Sequence, residues 1–171
     1  MKPALLVIDI QERFLTLGEM PAESFAKAVE YIDAAIALFR KRELPIICIQ
    51  HVEEEAGLVP GADGFGTPAA LQILPSDKHI QKTYGNAFNK TALADELRKL
   101  GVDTVIITGF CAEYCVLSTY RGAENLDLTP IILRDSLMSG VPERVRFVED
   151  ISSLISYGAL RKALEGCGKS A

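Results

Sequence analysis

Several features are missing from this sequence, and each absence argues against a class of protein. The 171 residues contain no tryptophan and only two histidines, too few for a conventional structural zinc site. No apolar run approaches the roughly 20 residues that a membrane-spanning helix needs. The N-terminal apolar run, residues 4–8, is shorter than the hydrophobic region of a signal peptide and ends at Asp9. We therefore expect a cytoplasmic protein without a membrane partner.

Positive charge is also scarce. Eighteen Lys and Arg residues stand against 23 Asp and Glu residues, which leaves a formal net charge of -5. The largest basic cluster is Arg40-Lys41-Arg42. This balance lacks the basic surface that nucleic acid or an anionic membrane would select, so neither is expected as a partner.

Cysteine is limited to four residues, and disulfides are rare in the cytoplasm. These cysteines are therefore expected to be buried, reactive or metal-bound: Cys48, Cys111, Cys115 and Cys167. The glycines of segment 61–66 do not have the spacing of a phosphate-binding fingerprint, and no strand runs through them directly into a helix. We accordingly expect no nucleotide and no other cofactor.

Apolar patterns predict an α/β fold for the chain, residues 1–171, as a single domain. Buried strands are predicted at 4–8, 45–50, 104–108 and 130–133, with short strands at 79–82 and 155–156. Helices are predicted from Pro21, from a cap at Thr91 to a stop at Gly101, after Gly109, from Pro142 and from Gly158. This alternation implies right-handed crossovers and parallel pairing. The result is a Rossmann-like three-layer sandwich with helices on both faces of a mostly parallel sheet.

The periodicity is lost between His51 and Gln81, where glycine and proline recur. We expect an irregular loop there, with one short helix around residues 68–73. Long loops in compact domains are usually functional, which makes this segment a candidate lid.

Three ionisable residues follow or end separate predicted strands: Asp9, Lys82 and Cys115. Ligands of open α/β sheets bind at the carboxyl ends of the strands, where helix N-termini point at them. Cys115 is expected in the first turn or so of such a helix, where the helix dipole and a nearby lysine would favour the nucleophilic thiolate.

Three stretches carry a resemblance to a known family. They are LLVIDIQERF around Asp9, KTYGNAF from Lys82 and ITGFCAEYCVLSTYRGA around Cys115. Together, and in this order, they resemble the isochorismatase-like cysteine hydrolase superfamily over roughly residues 3–133. The resemblance implies a hydrolase of small amide or ureido compounds: Cys115 forms a thioester, Asp9 is general base and acid, and Lys82 orients both.

The same resemblance implies further details of the site. It implies a cis peptide between Phe110 and Cys111, and an oxyanion hole formed by the N–H groups of Cys111 and Cys115. It places Gln11 and Phe14 against the substrate. Phe110, larger than the valine common in the family, would reshape the pocket floor, and His51 is expected to line the pocket. Family members usually assemble, so we expect a homo-oligomer, a dimer or a tetramer.

Metal is not expected. Nicotinamidases of this superfamily bind a metal through an Asp-x-His motif after the second strand and a further histidine. Here the corresponding segment reads IQHVEEEAG, with His51 alone. Nicotinamide is for the same reason a less favoured substrate.

Two other functions fit parts of the pattern. A family member with little hydrolase activity could serve as a scaffold or as a redox-responsive thiol protein that pairs Cys111 with Cys115. A phosphotransferase or dehalogenase with Asp9 as nucleophile is disfavoured, because the second carboxylate common two residues later in such phosphatases is Gln11 here.

Overall fold

Six parallel strands form the centre of the protein. The structure is a computed structural model that describes residues 1–15 and 22–165. The strands are β1 (Pro3–Ile8), β2 (Ile46–His51), β3 (Lys78–Lys82), β4 (Thr104–Phe110), β5 (Thr129–Met138) and β6 (Leu154–Ile155). They are ordered β3-β2-β1-β4-β5-β6, and every pairing is parallel. The predicted α/β fold with a parallel sheet is confirmed.

Helices cover both faces of the sheet. They are α1 (Glu12–Leu15), α2 (Ala22–Lys41), α3 (Leu93–Leu100), α4 (Leu117–Glu124), α5 (Pro142–Asp150) and α6 (Tyr157–Glu165). Helices α3, α4 and α5 pack on one face, and α2 and α6 pack on the other. The predicted start at Pro21 lies outside the described residues. None of the described helices is long and apolar enough to cross a bilayer.

Successive side chains of the central strands point to opposite faces of the sheet and belong to two separate cores. Leu6 and Ile8 of β1 belong to the core under α3, α4 and α5, whereas Leu5 and Val7 belong to the core under α2 and α6. Because both faces are buried, the strand reads as a continuous apolar run in the sequence. This is why its position could be predicted.

Gly109 allows β4 to pass close to β1 just before the site. Its φ is +124°, a backbone conformation that residues other than glycine rarely adopt. A Cβ atom at this position would overlap the carbonyl oxygen of Ile8. Gly109 therefore sets how closely the ends of β1 and β4 approach each other.

Strand β5 is longer than the sequence predicted. The apolar run ends at Leu133, but pairing with β4 resumes at Leu137 after a register shift. The intervening bulge contains Arg134 and Asp135, and Asp135 has a φ of 66°. Because the bulge interrupts the apolar run, the second half of the strand left no strand pattern.

The short helix predicted around residues 68–73 is wrong; the segment forms turns. The N–H of Gln72 donates to Asp33 of α2, and Arg40 of α2 donates to the Gln72 carbonyl oxygen. Contacts with α2 thus occupy the peptide groups that a helix would have used. A smaller difference concerns α3, whose N-cap is Ala92, although the hydroxyl of the predicted cap Thr91 accepts the N–H of Leu93 at 3.2 Å. Its predicted end at Gly101, in the left-handed conformation, is confirmed.

The irregular loop is fastened to the start of α1. The N–H of Glu12 donates to the Gly66 carbonyl, and the N–H of Arg13 donates to the Gly64 carbonyl, both at 2.9 Å. Phe65, between the two acceptors, is buried. A lid motion of the loop stays a prediction, and it would have to break these contacts.

Candidate active site

The candidate site lies at the carboxyl edge of the sheet, where the strand order reverses. Strand β1 lies between β2 and β4, so the connections on its two sides diverge and leave a crevice beyond its end. Asp9 follows β1, Lys82 ends β3, and Cys115 lies beyond β4. The three predicted residues meet at this crevice.

Lys82 is the hub of the site. Its side chain is 0% exposed, and its Nζ donates to Asp9 Oδ2 at 2.7 Å. The same nitrogen is 3.3 Å from Cys115 Sγ. It is also 3.2 Å from Nδ1 of His51, a contact that the sequence did not predict. An ammonium has three N–H donors and no acceptor, so these three contacts use its full donor capacity.

Asp9 is held in an unusual environment. Its φ is 52°, in the left-handed region where aspartate is more common than most residues but still infrequent. The residue is buried, and Oδ1 has no hydrogen-bond partner within residues 1–15 and 22–165. Burial raises the pKa of Asp9 above its ordinary value, while the charge and hydrogen bond of Lys82 oppose that shift. One carboxylate oxygen is thus anchored, and the other is available to accept a proton.

Cys115 lies in a widened turn between β4 and α4. The N–H of Val116 donates to the Cys111 carbonyl at 3.2 Å, which closes a π-type turn over Ala112–Val116. Such turns are frequent at functional sites. Burial, followed by the negative charge of Asp9, raises the pKa of Cys115 to about 11, although Lys82 acts in the opposite direction. This is opposite to the predicted shift: the resting form is the thiol, and a base must remove its proton.

The donor atoms of this site lie close enough to one another for a metal ion to be considered. Single ligand atoms of Asp9, His51 and Cys115 lie within 4.8 Å of one another, a set that zinc could use. However, Lys82 Nζ already contacts all three side chains. A divalent ion beside this ammonium would be repelled by it. The residues therefore do not fit a resident metal ion as long as Lys82 occupies this position.

Three rings form a strip beside the hub. The rings of Phe14 and Phe110 stack at 5.2 Å and 30°, and the centroids of Phe14 and His51 are 6.5 Å apart. All three side chains are partly exposed. We call Phe14, Phe110 and His51 the ring strip. Its position next to Lys82 is compatible with the predicted substrate contacts, which stay predictions.

Gln11 has a different place from the one predicted. It is 0% exposed, and its amide nitrogen donates to the carbonyls of His51 (3.1 Å) and Phe65 (3.2 Å). Its Oε1 accepts the N–H of His51 at 2.7 Å. The structure thus makes Gln11 a clamp on the backbone of His51 and of the irregular loop, not a surface that faces a substrate.

A second polar cluster surrounds Cys111. Its Sγ donates to Glu113 Oε2 at 2.9 Å, while Ser139 and Arg144 donate to Glu113 Oε1 at 3.1 and 2.7 Å. Burial, followed by the hydrogen bond and charge of Glu113, raises the pKa of Cys111 to about 12. The peptide between Phe110 and Cys111 is cis, as predicted. Sequence reasoning missed Glu113; its place between the two cysteines was the available signal.

A separate cavity of about 190 Å³ lies at the end of β5. It is lined by Lys27, Asp135, Leu137, Met138, Ser139, Pro142, Val145 and Glu149. Its lining includes none of Asp9, Lys82 and Cys115. We assign the chemistry to the crevice where these three residues meet.

Comparisons with known proteins agree with this fold. The family model for the isochorismatase domain matches residues 3–148. YrdC of Bacillus subtilis (strain 168), an uncharacterized isochorismatase family protein, is 29% identical over 139 residues, covering 79% of this chain and 73% of YrdC. The ureidoacrylate amidohydrolase RutB of Pseudomonas syringae pv. syringae is 23% identical over 182 residues, covering 84% of this chain and 74% of RutB. The crystal structure of an isochorismatase-like hydrolase from Alkaliphilus metalliredigens superposes with a TM-score of 0.85 at 22% identity, covering 95% of this chain and 99% of that one.

The fold is thus that of a doubly wound α/β protein whose switch-point crevice groups a thiol, a carboxylate and an ammonium. The chain belongs to the isochorismatase family. Its relatives include an amidohydrolase, which supports hydrolase activity.

Proposed function

We propose that this protein is a cysteine hydrolase that cleaves the C–N bond of a small amide or ureido compound through a thioester on Cys115. The observation that carries the proposal is the contact of one buried ammonium, Lys82 Nζ, with both Asp9 Oδ2 and Cys115 Sγ. Nucleophile, base and orienting group within hydrogen-bond reach are the geometric signature of covalent catalysis.

The reaction uses the free oxygen of Asp9 as its proton carrier. Asp9 takes the proton of the Cys115 thiol while the sulfur attacks the substrate carbonyl carbon. The same proton then passes to the leaving nitrogen, the C–N bond breaks, and a thioester remains. Asp9 next takes a proton from water, whose oxygen attacks the thioester, and the thiol leaves with its proton restored. The raised pKa of Asp9 suits this exchange, because it makes the carboxylate a stronger base for the Cys115 thiol than an ordinary aspartate would be.

The developing oxyanion needs donors. The N–H of Cys111 has no hydrogen-bond acceptor in the described part of the chain, which supports the oxyanion hole proposed for Cys111 and Cys115. Donors of this kind typically contribute about 2.7 to 4 kcal/mol each.

A trapped thioester tests the proposal. The purified chain would be mixed with 4-nitrophenyl acetate, and then with a panel of small primary amides and N-carbamoyl compounds. The mass of the intact chain and of its proteolytic peptides would be followed. We expect an acyl adduct on a peptide containing residue 115 in the parent chain and in Cys111→Ala, but not in Cys115→Ala. Acylation or amide hydrolysis at the parent rate by Cys115→Ala would overturn the assignment.

A homo-oligomeric state remains part of the proposal. Tyr114, next to the nucleophile in the chain, is 62% exposed, and Phe147 of α5 is 56% exposed. Large exposed aromatic side chains are enriched at interfaces. Sedimentation at working concentration is expected to show a dimer or tetramer, and a monomer alone would contradict this.

A further inference from the structure

The hydrogen bond between Lys82 and His51 determines where the imidazole carries its proton. Lys82 Nζ can only donate, so Nδ1 of His51, 3.2 Å away, must accept and cannot carry a hydrogen. A neutral imidazole with a bare Nδ1 has its proton on Nε2. Burial, and then the charge of Lys82, lower the pKa of His51, which keeps the ring neutral.

The ring is also fixed in position. Gln11 binds both the N–H and the carbonyl of His51, at 2.7 and 3.1 Å, so the backbone of this residue is clamped from inside the fold. With the backbone held by Gln11 and Nδ1 held by Lys82, the ring orientation is determined at both ends. This is the preorganisation that a specific binding group needs.

The second nitrogen of the ring is left for a ligand. Nε2 of His51 makes no hydrogen bond to any described residue, and the side chain is partly exposed. The same ring belongs to the ring strip, whose two phenylalanines offer a flat apolar surface. A fixed N–H donor thus lies beside an aromatic surface. It is also close to the nucleophile, because Lys82 Nζ contacts both His51 and Cys115.

We propose that His51 is the specificity-determining residue of this site and donates its Nε2–H to a hydrogen-bond acceptor on the substrate. The preferred substrate class is then a small, flat amide or ureido compound that carries an acceptor, such as a second carbonyl or a ring nitrogen, beyond the scissile carbonyl. The inference rests on the proposed function, since it takes Cys115 as the point of attachment.

The tautomer is directly observable. The chain has only two histidines, so a long-range ¹H–¹⁵N spectrum of the labelled protein contains two imidazole patterns, and His79→Asn assigns them. We expect His51 to show an unprotonated Nδ1 and a protonated Nε2. A protonated Nδ1 on a neutral ring would overturn the proposal.

Two amide substitutions separate the two nitrogens. The amide of asparagine ends near the position of Nδ1, so His51→Asn keeps an acceptor for Lys82 and loses the donor to the ligand. Glutamine reaches to the position of Nε2, so His51→Gln keeps a donor for the ligand. His79, exposed on β3, provides the matched control His79→Asn.

Aldehydes that add reversibly to Cys115 report the hydrogen bond. The sulfur adds to the aldehyde carbon, and the thiol proton goes to the new hydroxyl oxygen, so the adduct needs no other reactant. Benzaldehyde lacks the acceptor, and the three pyridine carbaldehydes carry it at different positions. The dissociation constants of the four Cys115 adducts would be compared in the parent chain and in each variant. Because each aldehyde is compared with itself across the variants, differences in intrinsic electrophilicity cancel.

We expect the best pyridine isomer to gain about 3- to 10-fold over benzaldehyde through His51, the size of one neutral hydrogen bond. His51→Asn should abolish this gain, whereas His51→Gln should restore part of it and His79→Asn should leave it unchanged. If His51→Asn keeps the full gain for all three isomers while adducts still form on Cys115, the role of His51 is refuted and the proposed function stands. If no aldehyde adds to Cys115 in the parent chain, the proposed function fails, and the role of His51 fails with it.

Discussion

Two cysteines four positions apart in the chain occupy opposite electrostatic settings. Cys115 Sγ receives a hydrogen bond from an ammonium, Lys82, that is itself paired with a buried carboxylate. Cys111 Sγ instead donates its hydrogen to a carboxylate, Glu113, whose charge is shared with Arg144. Both thiols have raised pKa values, about 11 and about 12.

The difference lies in what happens when each proton is removed. A thiolate at Cys115 would face Lys82, and the unpartnered Oδ1 of Asp9 can receive the proton. A thiolate at Cys111 would face Glu113, and both Glu113 oxygens already accept hydrogen bonds. Burial raises the pKa of both thiols. The difference in their reactivity therefore comes from the charged side chains around each sulfur.

The largest effect is expected from removing the nucleophile. Cys115→Ala should lower kcat/KM for any substrate found in the amide panel by at least about 10³-fold, because residual catalysis would rest on binding and the oxyanion hole alone. Cys111→Ala should stay within a few-fold of the parent, since only its backbone N–H is proposed to act. Equal losses in both variants would erase the distinction between the two cysteines.

The next effect concerns stability. Lys82→Met leaves the Asp9 charge buried without its partner and should lower the free energy of unfolding by about 3 to 5 kcal/mol. The matched change Arg144→Met breaks the ion pair of Glu113, whose arginine is 47% exposed, and should cost about 0 to 1 kcal/mol. Urea unfolding of both variants measures the difference. The double variant Asp9→Asn/Lys82→Met should recover part of the loss; if it recovers nothing, the unpaired charge is not the cause.

The pH dependence of alkylation compares the thiols themselves. In a Cys111→Ala background, the rate of Cys115 modification by iodoacetamide should rise with pH to a midpoint near 11. Asp9→Asn should lower that midpoint, since the charge of Asp9 disfavours the thiolate. A midpoint near or below the ordinary thiol value in the parent background would show that Lys82 outweighs burial and Asp9 at Cys115, and would contradict this prediction.

The same shift predicts a stability change. The folded pKa of Cys115 lies above the ordinary thiol value of 9.0, so its neutral form is favoured by folding. The corresponding stabilisation is present below about pH 9 and is lost as the pH rises through about 11. Cys115→Ala should make this decline shallower in thermal unfolding scans, while the decline due to Cys111, whose pKa is about 12, stays.

The smallest effect is expected at Glu113. Glu113→Gln keeps the shape of the side chain and removes the charge shared with Arg144, so unfolding should change by about 1 kcal/mol or less, and Tm by about 2–4 °C at most. Catalysis should change by no more than a few-fold. A loss comparable to that of Cys115→Ala would show that the cluster around Cys111 participates in the reaction.

Much of the framework could be predicted from the sequence. Strands buried on both faces appear as apolar runs, so β1, β2 and β4 were located to within one or two residues, and the hub residues followed from their strand ends. The second half of β5 and the turns of residues 68–73 could not be predicted. In both places the backbone follows tertiary contacts, a bulge against β4 and hydrogen bonds to α2, that leave no periodic pattern.

The amino-acid sequence by itself determined the α/β architecture and the three residues that follow or end separate strands, because hydrophobic periodicity and chain order are local properties. Only the tertiary structure decided that Lys82 also binds His51, that Gln11 is a clamp and that Cys111 faces Glu113. The Lys82–His51 and Gln11–His51 contacts join residues 31 and 40 positions apart. Glu113 is close to Cys111 in sequence, but its carboxylate accepts hydrogen bonds from Ser139, just after β5, and from Arg144 of α5. Such partners are selected by how strands and loops pack, and no local pattern records that.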